Sequence, residues 1–401
     1  MMLRYQLAAY SPVSGGMVIG GALGAVADRR RTLAALLMDR YAAAGCALCG
    51  SGTQALQVAL RHTRARAGAD ASIALPAFSC YDVATAAIAV GGPVMLYDLD
   101  PTTLAPDADS LERVLVAGAR IVVIAALYGM PVDWDALQAQ ATRHGAFLIE
   151  DAAQGHGGSW RQQALGSLGD VSTLSFGRGK GWTGGGGGAV LTRGLAGAAP
   201  GLDRGWSVSN ELRTVLGLGA QWILGRPSLY GIPRSIPMLR LGETTYRAPR
   251  GETPMTRAGA AVVLRGRRSS DDEAVFRRKS AAAILAGVID SARLQPMRHE
   301  AAAVPGYLRF PLRVSGGLNG LRDPARAQAL GIAQSYPTTL AALPPLAAQL
   351  VRVDSSWPGA QDLARDLITI PTHSLVSDDE RDEIMALLRK VDRPVKSPLA
   401  G

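Results

Sequence analysis

Residues 146–192 hold a lysine, a serine and two carboxylates at spacings suited to amine–carbonyl chemistry. The apolar run Ala146–Ile149 ends in Glu150 and Asp151. A second run, Val171–Phe176, contains Ser175 and leads into Lys180, which lies between Gly179 and Gly181. A third, Ala189–Leu191, follows the five consecutive glycines Gly184–Gly188. Short apolar runs bounded by turn residues are consistent with buried strands of a parallel sheet. Ligands of such sheets sit at the carboxyl ends of the strands, where Asp151, Ser175 and Lys180 fall. A lysine amine can form a Schiff base with the aldehyde of pyridoxal phosphate (PLP), and a carboxylate beside the pyridine nitrogen keeps that nitrogen protonated. The glycines let backbone pass close to such a group. A lone loop lysine is most simply solvated. A nucleotide-binding P-loop fails on spacing, because Leu174 and Gly181 stand where it needs glycine and Ser or Thr.

Together EDAAQGHG, SFGRGK and GGGAVLT resemble the DegT/DnrJ/EryC1/StrS aminotransferases, PLP enzymes of fold type I that mostly aminate nucleotide-linked keto sugars. The resemblance implies roles for four residues. Asp151 pairs with the pyridinium nitrogen, Gln154 contacts the cofactor hydroxyl, Ser175 binds the phosphate and Lys180 is the Schiff base. Upstream, CGSGTQAL precedes an expected helix from about Gln54 to His62. A helix N-terminus offers free amides and a positive dipole end to an anion, although a Thr cap is also commonly structural. The resemblance makes Gly52 and Thr53 part of the phosphate cradle. In the segment PAFSCYDVATAAIAV the family has an aromatic that stacks on the pyridine. Its direct equivalent is Cys80. Tyr81 is the first candidate for stacking and Phe78 the second, with a core role open for either. His156 and His373 are candidates for the site or for purely structural roles.

These residues need elements to position them. The 401 residues suggest two domains, and 48% hydrophobic against 19% charged composition supports a buried core. The expected architecture is α/β. Residues 1–250 form a large PLP-binding domain with a mostly parallel central sheet, and residues 251–401 a smaller α+β C-terminal domain. The net charge of +9 suits anionic substrates, while 5% aromatics with no basic–aromatic interleaving argue against nucleic acid. Cys46, Cys49 and Cys80, with no apparent secretion signal, fit a reducing compartment. The CxxC of Cys46 and Cys49 has no partner cluster for zinc, and no metal site is expected. Gly15–Ala27 is apolar but too short to cross a bilayer, so it is read as a packed loop or short helix in a cytoplasmic protein.

Further expectations are a helix over Thr32–Ala44, Asp133 capping the helix after LYGMPVD, and a βαβ unit ending at Asp98. Pro200–Arg250 has no clean period and reads as an irregular lid or binding loop. Thr256–Ala292 reads as a helix broken around Arg268–Asp272. Gly306–Val314 reads as a strand, Ser377 and Glu380 as a capping box, and Pro394–Gly401 as a frayed tail.

Two departures bear on substrate. Glu252 and Pro254 stand where the family's GxNxRM segment has Asn and Arg, and Gly186 replaces an acidic residue. The resemblance implies transfer of an amine from an amino acid donor, with glutamate expected, to a keto acceptor, most often a nucleotide-linked keto sugar, in a homodimer. The lost segment favours a non-sugar keto compound. A non-catalytic PLP-fold regulatory protein would lack Asp151 or Lys180, and a dehydratase of the family would have His for Lys180. A desulfurase would need a cysteine beyond Cys80, and the chain has none.

Overall fold

The computed structural model describes residues 4–194, 197, 199, 205–236 and 244–392. The tail expected over Pro394–Gly401 lies outside them. The central sheet has seven strands, in the order Gly45–Cys49, Gly188–Thr192, Val171–Ser175, Phe147–Asp151, Ala119–Ala125, Ser72–Pro76 and Val94–Tyr97. Neighbours run parallel, except that Gly188–Thr192 is antiparallel to both strands beside it. Alternate side chains of a strand leave opposite faces. Accordingly Ile121 and Val123 enter the core on one face, and Val122 and Ile124 the core on the other. All four are buried, which is why these strands read as continuous apolar runs. The C-terminal part has a four-stranded antiparallel sheet, ordered Leu294–Pro296, Phe310–Val314, Leu367–Ile370 and Ala333–Gln334. The α/β architecture with a mostly parallel sheet is as expected.

One helix, Arg257–Val288, serves both cores. Its Ala260 and Val263 pack with Phe176 and Trp182 of the large sheet, and its Ala281, Ile284 and Val288 pack against the small sheet. The break expected at Arg268–Asp272 does not occur. Ser and Asp weaken helices by competing for backbone groups, but here burial, a bond within the helix and an ion pair hold them. Ser270 is fully buried, Ser269 Oγ donates to the Gly266 carbonyl at 3.0 Å, and Asp271 pairs with Arg40 at 2.7 Å.

The interval Pro200–Arg250 is also more ordered than expected. It contains the helices Val208–Leu224 and Pro227–Arg234, while residues 200–204 and 237–243 lie outside the description. The helical period was obscured because apolar Leu212, Leu216 and Ile223 are exposed, whereas Glu211 is buried. Glu211 caps the long helix, accepting from the amides of Arg257 (2.8 Å) and Ala258 (2.9 Å).

The apolar segment near the start is the helix Gly15–Gly24. Its glycines allow close packing on the long helix, since a Cβ at Gly24 would come within 2.3 Å of Ala261 Cβ. Asp133 caps its helix, and Ser377 and Glu380 form the reciprocal capping box. No helix among the described residues is long and apolar enough to cross a membrane.

Candidate active site

The ends of the strands Phe147–Asp151 and Val171–Ser175 deliver Asp151 and Ser175 to one cavity of about 240 Å³. Gly52, Thr53, Gln154 and Lys180 line it too. Two carboxylates adjacent in sequence are separated by the strand's alternation. Glu150 is fully buried on one face and accepts from the amides of Gly166 (2.6 Å) and Leu168 (2.9 Å) and from Ser172 Oγ (2.9 Å). Asp151, on the other face, accepts from the Ala153 amide (3.1 Å) and Thr173 Oγ1 (3.3 Å) through Oδ1 alone. Burial raises the Asp151 pKa, against the Ala153 amide and the charge of Lys180, which lower it.

Lys180 is held by its loop. Gly179 and Gly181 on either side have φ of 70° and 80°, a region that disfavours any side chain with a Cβ. Beyond them Trp182 anchors the loop in the core, donating from Nε1 to the Val263 carbonyl at 2.8 Å and meeting Phe176 edge-on.

At the opposite end of the cavity, the helix Gly52–Ala67 starts two residues earlier than its sequence pattern suggested. Its cap is Ser51, whose Oγ accepts from the Gln54 amide at 3.2 Å. Thr53 therefore lies inside the first turn. A Cβ on Gly52 would lie 2.6 Å from both Cβ and Oγ of Ser175, so only glycine lets the helix terminus approach this serine.

Tyr81 departs from its expected place. It does not line the cavity: the helix Tyr81–Val90 begins there, and the buried ring sends its hydroxyl to Thr338 Oγ1 at 2.6 Å. Phe78 is likewise in the core, edge-on to Tyr336. Cys80 lines the cavity instead, its thiol pushed up to about 12 by burial, so it is no thiolate at neutral pH. Gln154 does line the cavity, but its amide is engaged at both ends. Oε1 accepts from the Tyr128 amide and Nε2 donates to Tyr336 Oη, each at 2.9 Å.

His156 and His373 are buried and do not line this cavity. Arg277 Nη2 lies 3.4 Å from His156 Nδ1, which makes that nitrogen the acceptor and leaves Nε2 to face Asp271 at 3.3 Å. His373 Nε2 donates to the Leu7 carbonyl at 2.8 Å.

Several lining residues had no sequence signal of their own. Ser79 has a buried hydroxyl without a hydrogen-bond partner among the described residues, and Arg247 reaches the cavity from the segment that follows the undescribed residues 237–243. That segment is tied down by this chain. Thr85 Oγ1 donates to the Arg247 carbonyl (2.8 Å), the Gly50 amide to the Thr253 carbonyl (2.7 Å), and Arg61 pairs with Glu252. Position 252 is thus spent on an internal ion pair.

A PLP-sized group fits these residues on three counts. Asp151 Oδ2 has no hydrogen-bond partner among the described residues, the Ser79 hydroxyl lacks one, and the Gly52–Ser175 approach leaves helix amides and a serine hydroxyl for a phosphate.

Residues 26–198 match the model of the DegT/DnrJ/EryC1/StrS aminotransferase family. The chain is 35% identical over 179 residues to the L-glutamine:2-deoxy-scyllo-inosose aminotransferase of Streptoalloteichus tenebrarius, over 45% of this chain and 42% of that protein. It is 32% identical over 128 residues to the pleiotropic regulatory protein of Geobacillus stearothermophilus, over 32% of this chain and 34% of that one. The matched stretch spans less than half the length of either relative. The fold matches the sugar aminotransferase CalS13 from Micromonospora echinospora, with a TM-score of 0.72 and 20% identity over 95% of this chain and 98% of that one. It also matches the PLP form of the putative sugar aminotransferase Spr1654 from Streptococcus pneumoniae, with a TM-score of 0.74 and 18% identity over 96% and 97%.

Proposed function

We propose that this chain, whose residues 26–198 match the model of the DegT/DnrJ/EryC1/StrS aminotransferase family, is a PLP-dependent aminotransferase acting on a keto sugar or a ring of similar chemistry. The observation that carries the reading is the convergence of Asp151, Ser175 and Lys180 on one cavity at the N-terminus of the helix Gly52–Ala67. When bound, PLP supplies an aldehyde that takes up an amine and a ring that withdraws electrons from the attached carbon. Lys180 holds the group through Nζ and, once released by an incoming amine, carries a proton on the same atom. Asp151 keeps the proton on the ring nitrogen. Ser175, Gly52 and Thr53 bind the phosphate, and Arg247 adds positive charge to the lining.

The donor is an amino acid; glutamate is the expected one, and the glutamine in the name of the Streptoalloteichus relative is its nearest rival. Titration of the PLP-loaded protein with each separates them, because the true donor removes the absorption band of the Lys180-linked cofactor and a productive keto acceptor restores it. Persistence of the band with every amino acid would defeat the aminotransferase reading.

A nucleotide-linked acceptor is the finer form of this reading, and the Glu252–Arg61 pair weighs against it, since position 252 carries the family's nucleotide-sugar segment. A regulatory role rests on the likeness to the Geobacillus protein alone. The homodimer has a face available, because exposed Ile19 and Leu23 lie on a helix packed beside the one carrying exposed Leu212 and Leu216. Light scattering of Leu212→Glu/Leu216→Glu against the parent chain would test it, with dissociation expected.

A further inference from the structure

A second cavity of about 590 Å³ adjoins the first and shares Gln154 and Lys180 with it. Its charge is one-sided. Arg178, Lys180 and Arg309 line it, and no Asp or Glu does among the described residues. Arg309 enters from the residue before the strand Phe310–Val314. Among the described residues its buried Nε has no hydrogen-bond partner, and its Nη2 makes a long contact, 3.5 Å, with the Thr369 carbonyl. Burial lowers its pKa, against the phenols of Tyr128, Tyr336 and Tyr230, which raise it. Arg309 is half-buried, with its Nε shut off from water and no carboxylate beside it, so an anionic ligand in the cavity would supply the acceptor it lacks.

The same wall carries other incomplete polar groups. Ser11 Oγ, Tyr128 Oη, Gln221 Oε1 and Ser335 Oγ are buried and lack hydrogen-bond partners among the described residues, and all four residues line this cavity. Buried hydroxyls and amides in native proteins are nearly always satisfied. Four orphans around one space call for a ligand that both donates and accepts hydrogen bonds, as ring hydroxyls do. Between them lie Tyr230, Leu224 and Pro233, apolar surfaces suited to the C–H faces of a ring. Tyr128 is moreover held at φ 58°, a left-handed conformation costly for an aromatic residue, of the kind that gathers at ligand sites.

We infer that the acceptor bound beside Lys180 is an acidic sugar or cyclitol, a polyhydroxylated ring bearing one anionic group seated on Arg309. The inference rests on the PLP reading for the identity of the neighbouring cavity. The anion is a ring carboxylate or a monophosphate ester, and the chemistry they share is a single small oxyanion on a hydroxylated body. The enzyme that supplies such a substrate would be an oxidoreductase that makes a ketone from a ring hydroxyl.

Ligand-observed NMR titrations of the PLP-loaded protein test this with four probes: D-glucose, D-glucuronate, D-glucose 6-phosphate and UDP. At least one of the two anionic sugars should bind about tenfold or more tightly than glucose, the gain of one charge-assisted contact. Preference for glucuronate identifies a carboxylate, and preference for the phosphate identifies an ester. In Arg309→Gln the preference over glucose should vanish while the cofactor band stays, and Arg309→Lys should keep part of it. Equal binding of glucose and both anionic sugars to the parent chain would overturn the inference without any variant. So would a preference undiminished in Arg309→Gln, or UDP binding more tightly than either anionic sugar. If no cofactor band forms in the parent chain, the PLP reading fails, while the anion preference is still measured on the same protein.

Discussion

Glu150 and Asp151 are consecutive in one strand, yet one carboxylate knots the interior and the other lines the candidate active site. Glu150 gathers two amides and the Ser172 hydroxyl at 2.9 Å or less, fully buried, while Asp151 shares its cavity with Lys180. The alternation of a strand makes them non-interchangeable. Glu150→Gln should lower unfolding free energy by about 3 kcal/mol, because its amide nitrogen would face backbone donors. Asp151→Asn should unfold near the parent midpoint but hold PLP more weakly. Urea denaturation of both variants checks the contrast, and equal midpoints for the two would refute it.

Gly52 and Ser175 form the closest approach at the phosphate end of the cavity. Gly52→Ala places a methyl 2.6 Å from Ser175 Oγ, so the helix terminus must retreat or the serine must turn. A cost of about 1–3 kcal/mol, or roughly five- to 150-fold in PLP affinity, is expected. Adding Ser175→Gly should relieve the steric part and restore thermal stability without restoring affinity. Equilibrium titration with PLP distinguishes the two effects.

Two buried histidines set an acid limit. Burial lowers the pKa of His156 and of His373 from 6.5 to about 4. Both stay neutral in the folded chain while the unfolded chain takes up protons below 6.5. Their contribution is intact above pH 6.5 and is lost as pH falls toward 4, at up to about 1.4 kcal/mol per pH unit for each. Urea midpoints should therefore drop between pH 7 and pH 5. The double variant His156→Gln/His373→Gln should show a flatter profile over that range, and an unchanged slope would assign the acid sensitivity to other groups.

The long helix offers a packing test. Ser270 is fully buried in its middle, between the parts that serve the two sheets. Ser270→Leu should overpack this point and destabilise by about 1–3 kcal/mol. Ser269→Leu, on a more exposed position of the same turn, should cost less than about 1 kcal/mol. Thermal denaturation of the pair decides it.

The part of the site that lies in contiguous motifs was legible in the sequence. Asp151, Ser175 and Lys180 follow strands that announce themselves as apolar runs, and glycines mark the lysine's loop. Arg309, Tyr336 and Ser335 were not legible, because only the folding of the C-terminal sheet against the large one brings them to Lys180. Cys80 and Tyr81 show a subtler limit. A one-residue difference in where a helix begins decides which of the two faces the cavity. The helix Val208–Leu224 escaped notice because its exposed side is as apolar as a core, so the amphipathic signal that identifies a surface helix was missing.

The central claim is that Lys180 is the residue that holds PLP. Borohydride reduction of the protein incubated with PLP, followed by peptide mass spectrometry, reads the attachment site directly. One stoichiometric adduct is expected on the peptide containing Lys180, and none in Lys180→Ala. Stoichiometric labelling of Lys279 or Lys390, or none at all on the folded parent chain, would contradict it.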